Sequence, residues 1–216
     1  MKDKEIRGIE NKSVVNRHKR IPLVLGSASP RRKKILEKLI RDFSVMTAET
    51  EEIHDASDPV RTVTQNALAK YRACRRLTHE AAIITADTLV WFKGKLIGKP
   101  ENIEEAASFL NAFSSSSHIV FSGIALGMPG EKEPDLRVEA SSVHFRELSG
   151  KLIDDYLKQT KPLDRAGAYD IDENGELLIE DYSGSYTNIM GLPAEVIRDW
   201  LAACRISGHL RHPPVI

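Results

Sequence analysis

Six consecutive residues, Ser27-Ala28-Ser29-Pro30-Arg31-Arg32, concentrate groups that can hold an anion. They stand where an apolar stretch gives way to helical spacing. Exposed N–H groups at a helix N-terminus attract negative charge. A serine hydroxyl adds a donor, and two guanidinium groups can grip phosphate oxygens in pairs. Cations are ordinarily unfavourable at that helix end, so Arg31 and Arg32 make electrostatic sense once an anion arrives. A capped helix with a solvated basic turn accounts for the same residues equally well. The segment is not a P-loop, because the GxxxxGK[ST] spacing is absent.

Thr85-Ala86-Asp87-Thr88 closes an apolar strand. Ligands of α/β sheets bind beyond the carboxyl ends of strands, and a carboxylate there can bind Mg²⁺ or orient a water. Capping a turn is its alternative role. Twelve residues on, Lys99 lies between Gly98 and Pro100 on a constrained backbone. It could neutralise negative charge developing on a phosphate, although alone it reads more simply as a turn lysine. Glu49, Glu51 and Glu52 supply oxygens of the kind Mg²⁺ takes; a solvated acidic loop explains them more simply. Lys70 falls in a helix whose exposed face also carries Arg72 and Arg75, the pattern of a solvated basic face. The seven histidines show no HExxH spacing, and neither GxSxG nor GxGxxG occurs. Serine hydrolysis and dinucleotide redox chemistry are therefore unsupported. Phosphate-binding cations together with several carboxylates point to metal-assisted phosphate chemistry, and composition and spacing reach no further.

The elements that must position these groups alternate along the chain. Residues 21–25 read as a short strand and 26–30 as a turn. From Arg31 onward Ile35, Leu36, Leu39 and Ile40 share one helical face. Ser29 is the expected N-cap and Pro30 the first helical residue. Residues 43–46 suggest a second strand and 59–77 a helix. Residues 82–86 suggest a buried strand, which 89–92 continue into a hairpin turn at Lys93-Gly94-Lys95. Helices are expected at 103–112, 149–160 and 193–204, and strands at 118–126 and 138–145. Mixed parallel and antiparallel signals predict an α/β protein rather than a pure doubly wound sheet.

The 216 residues suit one domain, or two small lobes around one cleft. With 31 basic and 31 acidic residues the formal net charge is zero. That argues against a polymeric nucleic acid as partner and leaves room for a local pocket for a small anion. Cys74 and Cys204 lie far apart, forming neither a metal cluster nor a disulfide framework, and the composition fits a reducing cytoplasm. No apolar run approaches the roughly 20 residues that span a bilayer. Residues 1–20, with seven Lys/Arg against three Asp/Glu, read as a polar extension without a secretion signal. Residues 206–216 read as a loose tail after a domain of 21–205.

Several units in order resemble the Maf family of nucleoside triphosphate pyrophosphatases, once described as septum-formation inhibitors. They are Ser27 to Arg32, Ala86-Asp87-Thr88, Gly98-Lys99-Pro100, Ser122-Gly123, Ala166-Gly167-Ala168-Tyr169 and Gly184-Ser185-Tyr186-Thr187-Asn188, followed by Gly191-Leu192-Pro193. The resemblance covers residues 21–205. It implies a central mixed β-sheet flanked by helices, with two lobes around a deep cleft, similar to inosine triphosphate pyrophosphatases. It also implies a cytoplasmic enzyme, often a homodimer, that uses Mg²⁺ or another divalent cation. Such an enzyme cleaves a nucleoside triphosphate to its monophosphate and pyrophosphate, selecting modified or dTTP/UTP-like nucleotides. The alternative it carries is a binding protein that restrains septum formation through a partner.

Residue by residue, the resemblance makes Asp87 the proton acceptor that activates water. It places Ser27, Arg32, Lys70 and Lys99 on the phosphates. Glu51 or Glu52 joins Asp87 in holding metal, and Arg31, Thr88 and Asp172 match positions that separate substrate subgroups. Three departures stand out. Asp172 replaces the glutamine of a Gly-Ile-Gln sequence in the dTTP/UTP subgroup, and an ionised carboxylate only accepts hydrogen bonds where an amide also donates. Tyr71 follows Lys70 where alanine is usual. Ser115-Ser116-Ser117-His118 lacks the basic residue and the glycine of the matching turn.

Overall fold

The computed structural model describes residues 21–204 and 206, so the expected extension 1–20 and nearly all of the expected tail lie outside it. The chain runs β1 (Leu23–Leu25), α1 (Pro30–Leu39), β2 (Ser44–Val45), α2 (Pro59–Leu77), β3 (Ala82–Phe92) and β4 (Lys95–Ile97). It continues through α3 (Ile103–Phe113), β5 (Ser117–Gly127), β6 (Asp135–Phe145), α4 (Gly150–Gln159), β7 (Ile179–Ser183), α5 (Tyr186–Ile189) and α6 (Ala194–Ala203). Single 3-10 turns at Pro162–Asp164, Ala166–Ala168 and Gly175–Leu177 link α4 to β7. The seven-stranded sheet has the order β2-β1-β3-β5-β6-β7, with β4 folded back on β3. β1 is parallel to β2 and β3, and every other pair is antiparallel. This is the mixed, helix-flanked α/β sheet that the sequence implies.

Asp87 does not end its strand. β3 is continuous for eleven residues, and Asp87 and Thr88 pair through their backbone with Gly123 and Ser122 of β5. The polar pair interrupts the apolar pattern without interrupting the ladder. It is β1 that stops: Leu25 pairs with Ile84, so Asp87 lies just past the carboxyl end of the parallel neighbour. β7 and α5 escaped the sequence reading because β7 is short and charged, with only Ile179 buried, and α5 is a single turn.

Alternation along the strands builds the core. Leu23, Leu25, Ala82 and Ile84 pack beneath α1 and α6. Val24, Ile83 and Ala125 pack beneath α2. Farther along the same long strands, Val90, Phe92, Val120, Val143 and Phe145 form a second apolar end with α3 and α4. A polar belt of Asp87, Thr88, Ser122 and Glu139 crosses the sheet between the two apolar ends. Gly123 lies in that belt for a steric reason: a Cβ there would stand 2.3 Å from the Val63 carbonyl oxygen. Its absence lets α2 lie directly on β5.

Arg75 is not on the solvated face of α2. It is buried, and its guanidinium donates to the Tyr71 hydroxyl and to the carbonyls of Thr78, Ala81 and Met128. Those acceptors fasten the end of α2 to the end of β5. Arg72 keeps the expected exposed position and pairs with Glu133. In the turn before β5, Ser115 takes φ +51, the left-handed conformation that glycine adopts at least cost. Among the described residues, no helix is long and apolar enough to cross a membrane.

His118 is buried in the second apolar end, with Nε2 2.8 Å from the Tyr169 hydroxyl and its ring stacked on Phe113. Burial pushes its pKa down to about 3. The unfolded chain takes up this proton near 6.5 and the folded chain does not until about 3. The unfolded state therefore binds more protons in that window. Stability is full above pH 6.5 and falls as pH drops, by up to ~1.4 kcal/mol per unit from this residue. Urea unfolding at pH 7 and pH 5 checks this, and His118→Phe should flatten the difference.

Candidate active site

The first turn of α1 is built by its cap. Ser29 Oγ accepts from the Arg32 amide at 3.4 Å, and Pro30 opens the helix. This geometry aims Arg32 back across the β1–α1 turn. Its Nη1 donates to Ser27 Oγ at 3.2 Å, Nη2 to Thr88 Oγ1 at 3.1 Å, and Nε to the Gly191 carbonyl at 2.8 Å. Thr88 Oγ1 also donates to the Gly191 carbonyl at 3.1 Å, so Ser122 Oγ, 2.8 Å away, must donate to Thr88. Burial pulls the Arg32 pKa below its ordinary value; Asp87 opposes that pull and Arg31 adds to it. A guanidinium still stays charged in a protein. Three of its five N–H donors are engaged here, which leaves two for an anion.

A second network lies across β3 under α2. Lys70 Nζ contacts Asp87 Oδ1 at 2.6 Å and Glu52 Oε1 at 2.8 Å. Asn66, four residues earlier on the same helical face, donates Nδ2 to Asp87 Oδ2 at 3.0 Å. The same amide clamps the acidic loop, donating to the Ile53 carbonyl at 3.1 Å and accepting from its N–H at 2.9 Å. Pinning Ile53 is what delivers Glu52 to Lys70. Asp87 is buried at the meeting point, facing Lys70 and Asn66 and close enough to Arg32 to feel its charge.

The structure thus brings Ser27, Arg32 and Thr88 into one network and Glu52, Lys70 and Asp87 into a second beside it. It does not join Glu51 or Lys99, which are exposed and touch neither network. Arg31 points elsewhere, reaching the Asp164 carbonyl only at 3.5 Å. Asp172 stands apart from both networks: Lys34 Nζ lies 2.8 Å from its Oδ2, and the Tyr186 hydroxyl lies 3.3 Å from its Oδ1. Hydrogen bonding to Lys34 holds the Asp172 carboxyl below the usual range and raises the Lys34 pKa in turn. Asp170, two residues before Asp172, is buried against Arg165 at 3.3 Å. Asn66 and Lys34 are the residues the sequence reading missed. Asn66 was legible in principle, since a spacing of four puts it on Lys70's face. Lys34 carries no such signal, because its partner is 138 residues away.

No three Asp, Glu, His or Cys side chains converge on one point among the described residues. Two carboxylates do, since Glu52 and Asp87 share one ammonium. That donor pair fits Mg²⁺, which typically takes one or two carboxylates, waters and substrate phosphates rather than a complete protein cage.

Comparison with known proteins agrees with the geometry. A family described as Maf-like protein matches residues 22–204. A dTTP/UTP pyrophosphatase of Thermococcus kodakarensis is 40% identical over 176 residues, 81% of this chain and 93% of its own length. One of Akkermansia muciniphila is 40% identical over 174 residues, covering 80% and 90%. One of Thermosipho melanesiensis is 36% identical over 185 residues, covering 85% and 98%.

Proposed function

This chain belongs to the Maf-like protein family, and from that premise we propose that it hydrolyses nucleoside triphosphates to the monophosphate and pyrophosphate. The observation that carries the reading is the convergence of Arg32 and Lys70 around the buried carboxylate of Asp87. Arg32 and Ser27 hold phosphate oxygens at the helix start, and Lys70 holds others from α2. A water beside Asp87 attacks the α-phosphorus and gives its proton to the carboxylate. The bond to the bridging oxygen breaks, and pyrophosphate leaves with the electron pair. Asp87 accepts from Lys70 and Asn66, and an ionised carboxylate has about four acceptor sites, so it can still take a water. Positioning and fixed charge supply most of the acceleration. Glu52 and Asp87 would hold a divalent cation, Mg²⁺ by preference, whose chemistry is to neutralise phosphate charge. Lys99 is exposed and touches neither network, so its place on the phosphates rests on the family motif Gly98-Lys99-Pro100. A cytoplasmic location suits the substrate and the free thiols of Cys74 and Cys204. Restraint of septum formation by binding alone is not favoured, because it leaves both networks without a task.

The relatives' substrate class, dTTP and UTP, is also the one proposed here, and Lys34 is the reason that Asp172 can serve it. Uracil and thymine present an N3–H donor between carbonyl acceptors. Asp172 accepts from the donor, and the Lys34 ammonium donates to a carbonyl. Together they offer what a glutamine amide offers alone. Pyrophosphate release from a panel of nucleoside triphosphates tests the activity, and no release by folded protein removes it. Lys34→Met should lower the preference for dTTP and UTP over dCTP by roughly ten- to a hundredfold, the range for one charge-assisted hydrogen bond. Asp172→Gln in that background should restore it. An unchanged ratio in Lys34→Met removes Lys34 from base selection.

A further inference from the structure

The carboxylate of Asp172 stands on a short stem. Aspartate has one methylene between backbone and carboxyl, where glutamine has two. Its oxygens therefore go where the backbone of residue 172 puts them. The partners of the side chain do not fix that place. Lys34 reaches Oδ2 from a side chain that is 59% exposed, and the Tyr186 contact to Oδ1 is long at 3.3 Å. An exposed ion pair orders its members only weakly.

The backbone is held from within. Asp170 Oδ1 accepts from the Asp172 N–H at 2.9 Å, the bond an aspartate makes to the residue two places on. Asp170 is itself held at its amide, its carbonyl and its second carboxylate oxygen. Its N–H donates to the Tyr156 hydroxyl at 3.0 Å, and Tyr156 is fully buried in the second apolar end. Its carbonyl oxygen lies so near Gly175 that a Cβ there would stand 3.0 Å from it. Its Oδ2 faces Arg165 Nε at 3.3 Å. Arg165 also pairs through Nη2 with Glu173, so one guanidinium joins residues on both sides of Asp172. The side chains of Arg165 and Asp170 are 12% and 7% exposed. A pair so little exposed is costly to break, because the partner left behind is an uncompensated charge.

We propose that Asp170, clamped by Arg165, is a positioning residue for base selection. It pins the backbone of Asp172 so that the short carboxylate meets the N3–H of uracil or thymine. This rests on the reading of Asp172 and Lys34 as the pair that recognises the base. A longer side chain at 172 would find the base by changing rotamer and would need no pin. Among the described residues the clasp makes no hydrogen bond to either network around Asp87, so its effect falls on which base is held.

Calorimetric titration of the full-length chain with α,β-methylene analogues of dTTP and dCTP, in Mg²⁺, reads base preference without turnover. Failure to release pyrophosphate therefore bears on hydrolysis alone. Asp170→Ala should lower the ratio of the two affinities about tenfold, the effect of losing a hydrogen bond to a charged acceptor. Asp170→Ser leaves a hydroxyl that accepts the same N–H more weakly, and should stay within about threefold of wild type. In an Asp172→Gln background, Asp170→Ala should change the ratio by less than about twofold, since the longer stem adjusts. An equal loss in both backgrounds means a general loosening of the loop and overturns the proposal. So does an unchanged ratio in folded Asp170→Ala while Lys34→Met still lowers it, a result that leaves the base-recognising pair standing. If Lys34→Met leaves the ratio unchanged as well, that pair falls and the pin falls with it. Should Asp170→Ala not fold, Arg165→Met/Asp170→Ala removes the stranded cation together with the pin and should show the same loss.

Discussion

Asp87→Asn should lower kcat for pyrophosphate release by about 10³–10⁴, the upper part of the range for losing a general base. The substitution keeps size and shape, so the fold should survive; the surroundings explain why the loss should be severe. Both groups that face the carboxylate are donors, Lys70 Nζ on Oδ1 and Asn66 Nδ2 on Oδ2. Asparagine must turn its own NH₂ toward one of them. Asn66 cannot flip to accommodate it, because its amide is committed in both directions to the Ile53 N–H and carbonyl. The replacement therefore loses the proton acceptor and also its fixed orientation. Initial rates of pyrophosphate release, with thermal unfolding as a control for folding, decide the matter. Wild-type turnover by folded Asp87→Asn would sink the assignment.

Arg32 is expected to carry the next largest effect. Arg32→Ala should reduce kcat/KM by about 10²–10³, by analogy with loss of one preorganised donor to a developing negative charge. It should also destabilise the fold by about 1–3 kcal/mol, since it removes donors from Thr88 and the Gly191 carbonyl. Arg32→Lys should recover little of either. An ammonium on a flexible stem cannot serve Ser27, Thr88 and Gly191 together while keeping donors for phosphate. Steady-state kinetics and urea unfolding on both variants separate the two losses. A lysine variant with wild-type kcat/KM would reduce Arg32 to a point charge.

The order of elements was legible because apolar spacing writes it locally. Ser29 and Pro30 announce the start of α1, and α2 matches its expected bounds, Pro59 to Leu77. The site was legible only in part. Asp87 looked like a strand end because Asp and Thr break an apolar run, whereas ladder hydrogen bonds belong to the backbone and ignore side-chain polarity. Glu51 and Glu52 are indistinguishable in sequence. Asn66 chooses between them by fixing Ile53, a decision made in three dimensions. Arg75 resembled its exposed neighbour Arg72 because a buried cation satisfied by carbonyls and a tyrosine hydroxyl has no acidic partner to betray it. The Lys34–Asp172 pair joins residues that only the folded chain brings within reach.

The polar belt across the middle of the sheet also has a mechanical meaning. β3, β5 and β6 pass unbroken through both apolar ends, and at Gly123 the helix α2 lies against the belt itself. Asp87 is therefore fixed by the backbone ladder of a strand anchored at both ends. Its cationic neighbours are held differently, Arg32 and Lys70 each reaching in on a long stem from a helix outside the sheet. The arms that gather and release a charged chain can change rotamer while the carboxylate they serve keeps its place.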